Sequence, residues 1–148
     1  MQFRASLLAA WCALCLAAAP ASAATFSNPA PITINDSPSN CLTPPLMPIQ
    51  SQATPYPSRI QVSGLTSAVT DVNVTLTRFS HTSVADTRVL LVNPLGQSTL
   101  VLDQVGQGEP ASNVTFTFDD SASGPIPEPP APIVSGTYLP TQQGTGCG

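Results

Sequence analysis

Val72-Asn73-Val74-Thr75-Leu76-Thr77 sets an aliphatic side chain at every second position, with Asn or Thr between. That is the period of a strand with one face on a core and the other in water. The same period returns in Asn113-Val114-Thr115-Phe116-Thr117-Phe118, which Asp119-Asp120 ends. No segment carries helical periodicity of useful length, and Gly, Pro and Asn punctuate the chain between such runs. The expected fold is all-β, a jelly-roll-like β-sandwich.

Outward from these runs the pattern changes. Val89-Leu90-Leu91-Val92 is continuously apolar, the pattern of a strand buried on both faces. Pro94 and Gly96 close it. Residues 97–102 then read as its hairpin partner around Asn93-Pro94-Leu95-Gly96. Three weaker strands are expected: Pro31-Ile32-Thr33-Ile34, the run in which Ile60 and Val62 alternate with Arg59 and Gln61, and residues 134–138. Residues 35–57, rich in Pro, Ser and Asn, are too long for a turn and read as an inserted surface loop.

The chain has 148 residues, which is room for one domain with a core of ordinary size. Its net charge is −4, and its four basic residues are all arginine: Arg4, Arg59, Arg78 and Arg88. Displacing counterions from nucleic-acid phosphates takes a basic patch, so nucleic acid is not an expected partner. Polybasic attraction to anionic lipid falls on the same ground.

Residues 1–23 read as a cleavable signal peptide. Arg4 supplies the positive start, residues 6–19 the apolar stretch and Ala21-Ser22-Ala23 the small-residue cleavage motif. The apolar stretch is shorter than the ~20 residues of a spanning helix. The expected product is a secreted module, residues 24–148, free of the membrane after cleavage. Cys12-Ala13-Leu14-Cys15 has redox or zinc spacing, but inside a leader it has no folded context. Cys41 and Cys147 remain. In an oxidising compartment they form a bridge or stay as two unpaired thiols, and the sequence leaves both readings open.

Two candidate sites follow from residue type. Asp86, Asp103, Asp119 and Asp120 offer loop carboxylates of the kind that bind calcium, a hard cation taking six to eight oxygen ligands. No EF-hand spacing accompanies them; the competing reading has Asp119-Asp120 cap a strand and face water. His81 is the single histidine, and no Gly-x-Ser-x-Gly elbow supplies a nucleophile beside it, so it reads as a structural loop residue.

Several stretches together resemble the P domain (P/Homo B domain) of subtilisin-like proprotein convertases, in its bacterial secreted form. They are Ala53-Thr54-Pro55-Tyr56-Pro57-Ser58 leading into Ile60-Gln61-Val62-Ser63-Gly64-Leu65, then Val72-Asn73-Val74-Thr75-Leu76 with Phe79-Ser80-His81-Thr82. Leu90-Leu91-Val92-Asn93-Pro94-Leu95-Gly96, Asn113-Val114-Thr115-Phe116-Thr117-Phe118-Asp119-Asp120 and Ser135-Gly136-Thr137-Tyr138 with Pro140-Thr141 continue the match in the family's order. The resemblance implies a jelly roll that accompanies a catalytic domain and supports its folding or stability without cutting peptide bonds itself. Two departures stand out. Where the family clusters acids after its Ser-His-Thr loop, Ser83-Val84-Ala85-Asp86-Thr87-Arg88 carries one acid and an Arg. The family also continues into further C-terminal strands, which the resemblance marks as missing here.

The expected function is therefore that of a secreted, non-catalytic accessory or stabilising module. Its expected partner is a protease or another secreted domain, and self-association through an open sheet edge is a second expectation. The alternative is a sugar- or surface-binding jelly roll. Such platforms use exposed aromatics, and the chain has five Phe and two Tyr, with its one Trp, Trp11, in the leader.

Overall fold

The computed structural model describes residues 23–35 and 51–143. Residues 1–22, most of the expected leader, and Cys41 and Cys147 lie outside the described residues. The chain is all-β. Its strands are β1 (Val74–His81), β2 (Arg88–Val92), β3 (Ser98–Asp103), β4 (Ala111–Phe118), β5 (Gly136–Tyr138) and β6 (Thr141–Gln142), with a single 3-10 turn at Val84–Asp86. They form two three-stranded mixed sheets, β1-β4-β5 and β2-β3-β6. Together these make an incomplete β-sandwich.

The first sheet pairs the two alternating runs. β1 and β4 are antiparallel, with Leu76 opposite Phe116 and Phe79 opposite Val114. Inward positions on β1 are Val74, Leu76 and then Phe79, so the period of two breaks once. A bulge absorbs the extra residue, and Arg78 takes a φ of 55° there. On β4 the inward set is Phe118, Phe116, Val114 and then Ala111, a second break, with Asn113 at φ 54°. Ser80 Oγ accepts the Asn113 N–H at 2.8 Å, which satisfies a group the bulge takes out of the ladder. Both irregularities keep apolar side chains on one face where strict alternation would turn them to water.

That face meets Val101 and Leu102 of β3, together with Val84, Val105, Ile126 and Ile133 from the connections, in one core. Phe116 is its centre. The Phe79, Phe118 and Tyr138 rings lie 5.3, 6.1 and 6.2 Å from the Phe116 ring, tilted or edge-on, as aromatic quadrupoles prefer. Gly106 has a φ of 82° and lies under the Ile133 side chain, so a Cβ would meet both backbone strain and a clash. The chain crosses between sheets after β1 and after β3. It crosses again in the Leu139-Pro140 link, where Pro140 has no N–H to leave unpaired.

Three expectations are corrected. Val89-Leu90-Leu91-Val92 is not buried on both faces: among the described residues β2 pairs only with β3, and Leu90, Leu91 and Val92 are 48%, 37% and 58% exposed. The expected first strand is reduced to one bridge, Thr33 with Thr54, closed by N–H···O bonds of 2.8 and 2.9 Å. The run around Ile60 and Val62 has no partner strand among the described residues and leaves both side chains exposed. A strand exists through its neighbour's hydrogen bonds, and an alternating pattern does not supply a neighbour. The hairpin forms as expected. Its turn is held by Asn93, whose Oδ1 accepts the Leu95 and Gln97 N–H groups at 3.0 and 2.9 Å.

Candidate functional site

The four candidate calcium carboxylates stand in different surroundings. Asp86 is exposed in the 3-10 turn. Asp103 ends β3 and is buried, 2% exposed. It accepts from Arg88 Nε at 2.6 Å across the β2–β3 pair. A buried carboxylate needs such a partner to offset its lost hydration. Arg88 thus has a structural task. Asp119 Oδ1 accepts the Ser121 hydroxyl at 2.6 Å and the Ser121 N–H at 2.8 Å. The Ser121 hydroxyl, then its N–H, and less strongly the Asn73 amide, stabilise the Asp119 carboxylate and hold its pKa below the ordinary carboxylate value. Asp120 is exposed beside it. Among the described residues no three His, Cys, Asp or Glu side chains stand together as a metal-binding group.

His81 ends β1, half-buried. Its Nδ1 lies 2.6 Å from the Ser83 carbonyl oxygen and 3.2 Å from the Ser83 nitrogen. These contacts tie the ring to the loop that leads toward β2.

A different place gathers more of the fold. Between the two sheets, at the end where β1 begins and β4 finishes, opens a cleft of about 370 Å³. Val74 of β1, Phe118 of β4, Leu91 of β2 and Thr99 and Val101 of β3 form its walls, with Pro140 and residues 69–72 at its mouth. Its floor is apolar. Among the described residues its carboxylates are Asp71 and Asp120, and no basic side chain lines it. Leu91 is also part of the outer strand β2, so the cleft adjoins that strand's free side. Of the candidate residues named above, only Asp120 lies here. The others, Asp71 and Leu91 foremost, carry no local motif. They come from separate segments, and only packing brings them together.

No protein-family model matches this chain, and no curated protein or solved structure matches it significantly.

Proposed function

We propose that this chain is a secreted, non-catalytic accessory module that stabilises a partner domain, in the manner of the P domains its sequence resembles. The observation that carries the reading is the outer edge of β2. Among the described residues the outer edge of Arg88–Val92 has no partner strand, and Leu90, Leu91 and Val92 are exposed beside an open cleft. An apolar edge of this kind is a template for pairing with another chain. A hydrolytic reading lacks a Gly-x-Ser-x-Gly nucleophile motif in the sequence. The sugar-platform reading loses three aromatics to the core, where Phe79, Phe116 and Phe118 are buried, and keeps Tyr56 as an exposed ring.

Fusion behind a secreted subtilisin-like catalytic domain tests the reading. The fused module lengthens the thermal half-life of that domain. An unchanged half-life, or casein hydrolysis by the isolated chain, overturns it. Export carries its own check: N-terminal sequencing of secreted protein begins at Ala24 or Thr25, and a mature chain that keeps Met1 sinks the secretion claim. Calcium has a small place in this reading, because Arg88 occupies Asp103 and Ser121 occupies Asp119. EDTA lowers Tm by less than about 2 °C. A larger fall, reversed by Ca²⁺ and not by Mg²⁺, reinstates the loop carboxylates as ligands.

A further inference from the structure

We propose that β2 and the cleft beside it form one docking site for an extended, basic segment of a partner protein. The segment adds as a strand along β2 and turns every second side chain toward the cleft, where aliphatic residues meet its apolar wall and a Lys or Arg meets Asp71 and Asp120. This deepens the accessory-module reading and rests on it.

Three observations converge. The first is the edge itself. Natural edge strands are guarded by Lys, Pro or an inward-pointing charge. β2 contains no Lys and no Pro, and its one charge, Arg88, is tied to Asp103. The extra residue of the β2–β3 pair lies on β3, where Val101 stands between Leu100 and Leu102, the partners of Leu90 and Val89. The second is continuity. Leu91 belongs both to the edge strand and to the cleft wall, so every second side chain of an added strand would stand on the Leu91 face. An apolar cleft of about 370 Å³ is of the size that takes a few such side chains.

The third is charge, and it selects the occupant. The cleft's ionisable side chains are Asp71 and Asp120, with Thr70 and Thr99 as its hydroxyls. Apolar burial next to two carboxylates fits a segment whose cleft-facing positions, every second residue, are aliphatic and basic in turn. A second copy of this chain fits poorly. It carries net −4 and no Lys, and it would bring its own Asp71 and Asp120 toward the same edge. Like charges so placed oppose association, while opposite ones steer it.

The test uses the full mature chain and labelled nine-residue peptides, read by fluorescence anisotropy. One peptide carries Val and Lys in turn at its cleft-facing positions, with Thr at the positions between. A second has Glu in place of each Lys. A third is the Val–Lys peptide with alternate amides N-methylated, which removes the donors a strand needs. The Val–Lys peptide binds at least about tenfold more tightly than Val–Glu at low salt, and the gap narrows between about 20 and 200 mM salt. N-methylation abolishes binding. Asp71→Asn with Asp120→Asn closes most of the gap, while the charge-matched control Glu109→Gln with Glu128→Gln leaves it open. Leu91→Lys weakens the Val–Lys peptide. All of these substitutions are at exposed positions, and circular dichroism verifies that each variant keeps the fold.

Equal binding of Val–Lys and Val–Glu peptides overturns the proposal, as does equal loss from the two acid pairs, which would mean diffuse attraction to an acidic surface. A dimer in light scattering that Leu91→Lys splits assigns the edge to a second copy and also overturns it. The catalytic-domain fusion separates the two levels. A longer half-life without peptide binding keeps the accessory role and removes this site. Peptide binding without a longer half-life keeps the site and removes the role.

Discussion

The two sheets are built alike and end differently. Each has an antiparallel pair and one short parallel strand, β5 beside β4 and β6 beside β3. In the first sheet, β1 and β4 alternate apolar and polar residues and bury one face, even at the expense of two bulges. In the second, β2 is the more hydrophobic strand by sequence and the more exposed by structure. Hydrophobicity states what a segment would gain by burial. Whether it is buried depends on a neighbour, and β2 has one on a single side.

Phe116→Ala gives the largest expected effect. The ring touches three other aromatics and is fully buried, so its loss costs about 3–5 kcal/mol. That is comparable with the ~5–15 kcal/mol that holds a domain folded. Chemical denaturation will find the variant unfolded or nearly so. A loss under about 1 kcal/mol would mean that the first sheet is not the centre of stability.

The Arg88–Asp103 pair ranks next, and the two halves differ. Arg88→Met strands a buried carboxylate, at about 3 kcal/mol. Asp103→Asn leaves an arginine whose side chain is 43% exposed and can turn to water, so it costs less. The reverse order of the two would show that β3 does not depend on the pair.

Leu91→Lys sharpens the comparison most directly. A Leu→Lys change in the first sheet's core would unfold the chain, yet here the shift stays within about 0.5 kcal/mol and solubility rises. A large destabilisation would mean that something covers β2. Asp119 gives the smallest effect. Its pKa is depressed by the Ser121 hydrogen bonds, so its contribution is present above the ordinary carboxylate range and is lost as pH falls through the lowered value. An NMR titration should place its midpoint below the ordinary carboxylate value, and lower than that of Asp119 in the Ser121→Ala variant.

The all-β class, both strands of the first sheet and the Asn93 turn were readable because each is encoded locally. Alternation names a buried face, and Asn-Pro-x-Gly names a turn. The bulges were also present as broken periods, Leu76 to Phe79 and Ala111 to Val114, but a broken period acquires meaning only once its partner strand is known. The weak strands around Thr33 and Ile60 failed for the complementary reason. Their pattern was adequate and their partners were not there to pair, apart from Thr54.

The candidate site divides the same way. Sequence identified Asp103, Asp119 and Asp120 as acids in suitable loops, without the information that Arg88 closes one and Ser121 another. It contained no sign that Asp71, Leu91, Thr99 and Phe118 would line one cleft. By itself, the sequence determined which residues want a core, where the chain turns and how few positive charges it owns. Only the tertiary structure decided which apolar run is enclosed and which lies open at an edge, because burial and strand pairing are relations between distant segments.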